Sequence, residues 1–400
     1  MGLTIGISGV GKFGGRFAQL FQAHPLVDRV YLADLNPDTL KNVASQLGIV
    51  DTFTSHEDLC ESDCDAIAIF TLRWLHGPQA IKALRAGKHV YSAVPIGVTL
   101  DEIREIVQLV EQSELLYMLG ETSYYYPATI YCRQRYQAGD FGHFVYGEAG
   151  YYHDMSHGFY EVFKRGGGDQ WKSHAGFPPM LYPTHSVSMI TSVTGSRMTQ
   201  VSYLGYVDRN EDGVFRADAN LWGNVFSNET ALFRTSDGGM ARINEFRRIG
   251  VGAVRMSMHG TEACYEEQDG ARAWVTRHGE RQDLFDLLAC ETAVVAEEDR
   301  HLHATLQRDY HSGLAPIHPA KRLPAELRYL PNGHEGSHHF LVDDFCRACT
   351  THKLPPNHVW AAARYCVPGI IAHESAKLDG ALLDIPDLGD PPDGWDRLSF

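Results

Sequence analysis

A short apolar run at 3–7 breaks at Gly9, and the spacing Gly9, Gly11, Gly14 then leads into an amphipathic stretch at 13–23. A strand, a glycine turn and a helix N-terminus in that order leave few folds open. Gly9 permits the tight turn, Gly11 lets the backbone approach a pyrophosphate, and Gly14 lets helix and strand pack closely, with the helix N-terminus facing the anion. Apolar runs at 29–34, 66–70, 89–92 and 116–119 alternate with helical spacing at 38–47, 74–86 and 100–112. Such a βαβ series predicts a parallel sheet with right-handed crossovers and a ligand at the carboxyl ends of its strands. Asp34 ends the second run twenty residues after Gly14. Its carboxylate can hold a ribose 2′-hydroxyl and would oppose a 2′-phosphate, so Gly9, Gly11, Lys12, Phe13, Gly14 and Asp34 predict a site for NAD rather than NADP.

Beyond Glu121 the texture changes. Long β-rich runs at 200–207, 221–233, 239–246 and 253–259 are separated by Gly, Asn and Asp turns, and two helical runs at 337–350 and 359–378 precede a Pro- and Asp-rich tail. The expected class is α/β: an N-terminal Rossmann domain over 1–120 and a C-terminal α/β domain over 121–350 with a large, mostly antiparallel open sheet. The helix and tail over 351–400 are expected to pack back on the first domain. The chain has 50 acidic and 35 basic residues, a formal charge of -15 and no basic stripe. That balance argues against nucleic acid as a partner. No stretch approaches the ~20 apolar residues of a membrane span. Eight scattered cysteines without a secretory leader fit a reducing cytoplasm, and Cys346 and Cys349 lack the second pair of a zinc site. His153 and His157 are spaced i,i+4 and His301 and His303 i,i+2, but no carboxylate pattern completes a metal site, so none is expected.

Segment 65–95, DAIAIFTLRWLHGPQAIKALRAGKHVYSAVP, resembles the Gfo/Idh/MocA oxidoreductases, which carry TP-x-x-x-H, AGKHV and EKP in this order. The likeness runs through nearly the whole chain to the IP ending at 385–386. It implies nicotinamide chemistry on sugars or polyols and an open sheet that often mediates homodimers or homotetramers. It also implies that Thr71, Leu72, His76 and Val94 line the cofactor, with Glu121 near its nicotinamide end. One departure stands out. Ala93-Val94-Pro95 replaces Glu-Lys-Pro, and valine can neither donate nor accept the proton that the family's lysine relays.

Tyr151 and His153 in GYYHD, and Tyr182 and His185 in YPTHS, resemble instead the NAD-dependent retaining glycosidases of this fold, notably the α-N-acetylgalactosaminidases and the sulfoquinovosidases. That resemblance implies transient oxidation at a sugar C3, which acidifies the C2 proton and allows elimination of the C1 substituent, followed by water addition and re-reduction. Tyr182 and His185 would handle the C3 and C2 protons, and Tyr151 and His153 the leaving group or water. Arg165, Trp171 and Lys172, in a glycine-rich basic segment read as a mobile loop, are candidates to receive an anionic sugar, as are His334 and His338 ahead of a helix. Two other readings stand beside this one: a net NAD-dependent sugar or polyol dehydrogenase with His185 as base, and a silent NAD-binding sugar sensor.

Overall fold

Most first-domain strands are apolar runs, and several are followed by a helix start written into the sequence. Asn36 caps the helix that follows the second strand, accepting from the N–H groups of Asp38 and Thr39, and Thr99 and Glu102 form a reciprocal capping box. The computed structural model describes residues 2–268 and 271–399. Strands β1 (Leu3–Ser8), β2 (Val27–Ala33), β3 (Thr52–Phe53), β4 (Ala66–Ile69), β5 (His89–Ser92) and β6 (Tyr117–Leu119) form a parallel sheet in the order β3-β2-β1-β4-β5-β6. Helices α1 (Lys12–Ala23), α2 (Pro37–Leu47), α3 (His56–Glu61), α4 (His76–Arg85) and α5 (Leu100–Glu111) make the crossovers. All four residues of β4 are buried, as a central parallel strand covered on both faces requires.

Among the described residues the second sheet has nine strands. These are β7 (Phe144–Tyr152), β8 (Met198–Val207), β9 (Phe226–Thr235), β10 (Met240–Phe246), β11 (Ala253–Gly260), β12 (Ala263–Gln268), β13 (Ala271–Thr276), β14 (Arg281–Asp283) and β15 (Leu383–Asp384). Their order is β14-β13-β12-β11-β7-β10-β9-β8-β15, antiparallel except between β7 and β10. Helices α6 (Pro127–Gln137), α7 (Phe159–Gly167), α8 (Trp171–Ala175), α9 (Thr184–Thr194), α10 (Phe285–Leu288), α11 (Ala304–His311), α12 (His338–Thr351) and α13 (Val359–Lys377) complete the fold. Of these, α9 packs on β7 and on α6, which fixes its first turn beneath the end of β7. No helix among the described residues is long and apolar enough to cross a membrane.

Three expectations are corrected. The basic segment read as a loop is helical over Phe159–Gly167, because Phe159 and Phe163, four residues apart, are both buried on one face. The glycine run ends that helix, with Gly168 at φ +51°. Helix α12, placed with the second domain by sequence, packs on α1 of the first: Phe340, Leu341, Phe345, Cys346 and Cys349 share a buried cluster with Phe17 and Phe21. The tail does not simply return to the first domain either. Helix α13 begins against β6 and α5 but runs along β8 and α9, and β15 joins the edge of the nine-stranded sheet.

Candidate active site

The glycine turn has the geometry of an anion cradle. Gly9 lies at φ +85°, and a Cβ on Gly14 would stand 1.9 Å from the Gly9 carbonyl oxygen, so neither position accepts a side chain without distortion. Among the described residues, a Cβ on Gly11 would meet nothing within 4 Å and no side chain caps α1, which leaves its first N–H groups open to an anion. Asp34 is held at the end of β2 by N–H donors from Val10 and Asn36, both at 2.8 Å. An uncapped helix start, open space at Gly11 and a fixed carboxylate at the ribose position fit a dinucleotide.

Other residues of the cofactor set are placed less directly. The Lys12 ammonium is engaged by Asp299, which also takes Arg16 at 2.9 Å and His311 at 2.8 Å. Phe13 turns its ring toward Phe70, His334 and His338. The buried His76 ring spans the carbonyls of Pro95 (3.0 Å) and Thr71 (3.1 Å). Burial lowers its pKa to about 4, so the neutral ring donates to one of them and props the turn. Thr71 donates its hydroxyl to Gln79 at 2.5 Å. Leu72 faces the lid formed by α7 and α8, 3.2 Å from where a Cβ on Gly166 would lie, and Val94 is buried.

Across from the turn, β7 delivers Tyr151 and, just past its end, His153. Helix α9 carries His185 in its first turn, with Tyr182 just before it. His185 donates from Nδ1 to Glu121 Oε1 at 2.6 Å, and the same carboxylate oxygen accepts from Ser123 N–H at 2.9 Å. Among the described residues, no close hydrogen-bond partner reaches the buried Glu121 Oε2. Burial alone would favour neutral forms of both groups. Their mutual charge and hydrogen bond outweigh it, so the His185 pKa is raised and the Glu121 pKa lowered, the signature of a buried imidazolium–carboxylate pair.

The aromatic groups close around this pair. Ring centroids of Tyr151 and Tyr182 lie 5.0 Å and 5.3 Å from His185 and 6.0 Å from each other. All three side chains are buried, yet no hydrogen bond reaches either phenol from the described residues. Burial raises both phenol pKa values, opposed at Tyr182 by Arg73 and at Tyr151 by Arg247. Arg247 is paired with Glu245 at 3.2 Å, and Glu245, also bonded by Ser186 at 2.6 Å, is pushed up by burial to about 7. His153 stacks flat on Phe159 at 3.9 Å, and burial holds it neutral well below its usual pKa.

His334 joins this group, 6.5 Å from His185 between ring centroids. Its Nδ1 lies 2.8 Å from His338 Nε2. Both His334 (φ +45°) and Glu335 (φ +53°) adopt the left-handed region that costs non-glycine residues about 1 kcal/mol or more, and the His334 N–H donation to Asp309 helps hold them there. His338 sits behind, against Phe13 and Phe17. The basic lid residues do not join the cluster. Lys172 donates to the Asp212 carbonyl at 2.9 Å, Trp171 packs on Tyr160, and Arg165 is exposed. His157 stacks on His303 at 4.0 Å. Among the described residues, the potential metal-ligating trio is His259, Cys264 and Glu266, on β11 and β12. The sequence patterns do not single out Arg73, Glu245, Arg247 or Asp309; only Arg73 carries a signal, an arginine inside the otherwise family-like segment 65–95.

The profile of an oxidoreductase family with an NAD-binding Rossmann fold matches residues 3–121. A glycosyl hydrolase family 109 protein of Shewanella amazonensis is 30% identical over 132 residues, which are 33% of this chain and 29% of that protein. Another, from Streptomyces niveus, is 24% identical over 415 residues, covering 96% of this chain and 77% of that one. The chain thus spans under a third of the first of these relatives and about three quarters of the second. Among solved structures, a levoglucosan dehydrogenase in complex with NADH shares the fold at a TM-score of 0.72 and 18% identity, over 97% of this chain and 100% of that one. Glycine turn, Asp34 and strand order agree with that match: residues 3–121 form an NAD-binding Rossmann domain similar to that of the Gfo/Idh/MocA oxidoreductase family.

Proposed function

We propose that the protein is an NAD-dependent, redox-neutral glycosidase. The observation that carries this reading is the Glu121–His185 pair beside two phenols that no described residue hydrogen-bonds, in a chain whose lysine position is Val94. The glycosyl hydrolase family 109 relatives support it. Bound NAD would supply a reversible two-electron acceptor for a sugar C3 carbon. His185, backed by the Glu121 carboxylate, takes the C3 hydroxyl proton and holds it as imidazolium. Tyr182 removes the acidified C2 proton as the C1–O bond breaks. Tyr151 is the acid for the leaving oxygen and then orients the water that adds at C1, with His153 behind it. The sum is glycoside plus water giving free sugar plus alcohol, with no net change in the cofactor. Near-complete burial of the cluster keeps bulk water from the intermediate ketone and enone.

A panel of aryl α- and β-glycosides in D2O with catalytic NAD tests the reading. Phenol release without net NADH absorbance, and deuterium at C2 of the released sugar, are expected. Stoichiometric NADH from free sugars without phenol would establish a net dehydrogenase instead, and NAD binding with no turnover would establish a sensor.

A further inference from the structure

The turn after β4 places Arg73 in an unusual setting. Its guanidinium carbon lies 4.3 Å from the Tyr182 ring centroid, 4.8 Å from that of Phe159 and 5.8 Å from that of Phe163. The next residue, Trp74, stacks on His174 at 4.3 Å, which pins the turn beneath the lid. Aromatic faces satisfy the cation through the ring quadrupole but leave its in-plane N–H donors free.

No carboxylate lies within 4.0 Å of Arg73 among the described residues, and no acceptor takes a hydrogen bond from it. Five other arginines of low exposure do have carboxylates: Arg16 has Asp299, Arg247 has Glu245, Arg248 has Asp212, Arg272 has Glu267 and Arg322 has Asp344; the half-buried Arg133 has none but donates to the Tyr124 carbonyl at 3.0 Å. The charged groups around the cluster are accounted for. Glu121 is taken by His185, and Asp309 faces His334 at 4.0 Å rather than Arg73. In a chain with an excess of fifteen negative charges, one half-buried guanidinium beside Tyr182 is left with five donors and no acceptor.

We infer that Arg73 is the receptor for an anionic substituent of the substrate, a carboxylate or sulfonate on the sugar, held by charge-assisted N–H···O bonds while the ring carbons lie against Tyr182 and Tyr151. The inference rests on the sugar-binding reading above and narrows its substrate class to acidic sugars. It assigns the anion to Arg73, not to the exposed Arg165 or to Lys172, which donates to the Asp212 carbonyl.

Calorimetric titration of the NAD-loaded protein tests it without turnover. The probes are D-glucuronate, D-galacturonate and D-glucose carrying a 6-sulfonate, each against its neutral hexose. At least one acidic sugar should bind ten-fold or more tighter than its neutral counterpart, and the uronates against the sulfonate identify which oxyanion fits. Arg73→Gln should erase that preference, weakening the acidic sugar roughly 10- to 100-fold and the neutral hexose less than two-fold, while NAD affinity persists. Arg73→Lys should restore part of the preference. Equal affinity of wild type for acidic and neutral sugars overturns the proposal. So does an Arg73→Gln variant that weakens both alike, which would mark a packing role, or one that weakens NAD, which would mark a cofactor role. If instead the preference is present but aryl glycosides release no phenol, the glycosidase reading fails and the anion site stands.

Discussion

At the scale of single residues, the chemistry concentrates on how His185 holds its proton. Burial favours a neutral imidazole, and the Glu121 carboxylate overrides it. If His185 accepts the C3 hydroxyl proton, kcat/KM must rise with pH through the raised His185 pKa. Glu121→Gln removes the negative charge while keeping an acceptor, so the pKa falls. The acidic limb of the kcat/KM profile should move to lower pH, with a rate loss on the order of 10²-fold because the imidazolium formed in the transition state is no longer stabilised. A limb that stays in place would remove His185 from the proton-transfer step. The same pair sets a stability window. Glu121, depressed from 4.5, contributes above its unfolded value and loses its contribution as pH falls through the folded one. His185, raised from 6.5, contributes fully below its unfolded value and loses its contribution as pH rises through the folded one. Melting temperatures of wild type and His185→Gln should therefore differ most between the unfolded values of 4.5 and 6.5 and converge at both extremes.

At the scale of elements, periodicity read the crossover helices and central strands well because local capping and burial agree there: Asn36 and Thr99 write their helix starts, and β4 reads as a strand since all four of its residues are apolar. It misread the segment at 164–172 because three consecutive glycines outweigh two phenylalanines ahead of them in any local reading, and only a packed partner face makes Phe159 and Phe163 decisive. The placement of α12 failed for the same reason. Its apolar residues announce a buried helix but not the sheet that buries it. Phe345, fully buried between Phe21 and Tyr91, tests the placement. Phe345→Ala should cost about 3–5 kcal/mol in urea unfolding. By hydrogen exchange the lost protection should appear in α1 and β5, with β8 to β10 left as in wild type. Loss centred on the nine-stranded sheet would return α12 to the second domain.

At the scale of the whole molecule, the candidate site belongs to neither domain alone. Arg73 and Glu121 come from the Rossmann side, Tyr151, Tyr182 and His185 from β7 and α9, and His334 from the strained turn before α12. Asp299 joins the parts across 287 residues of sequence, binding Lys12 and Arg16 beside the glycine turn and His311 at the end of α11. Burial works against the Asp299 charge, but Lys12, His311 and Arg16 more than offset it and hold its pKa below the usual range. Asp299→Asn should lower stability by about 1.5–3 kcal/mol at neutral pH. The penalty should shrink as pH falls through the depressed pKa, because wild type then loses the same charge. Chemical denaturation at two pH values measures this, and an equal penalty at both would show the contact to be packing rather than charge.

The sequence by itself determined the first domain and its ligand. The glycine spacing, the strand and helix periods around it and Asp34 are local patterns, and local physics suffices to read them. It also held Tyr151, His153, Tyr182 and His185 as candidates, but not their arrangement. Only the tertiary structure decided that Glu121 pairs with His185, that Lys12 and Lys172 spend their charge elsewhere, and that Arg73 is left with none to meet. The physical reason is distance along the chain: a pKa, a free donor or a closed lid depends on which groups share a few ångströms of low-dielectric space. Glu121 and His185 are 64 residues apart in sequence and 2.6 Å apart in the fold.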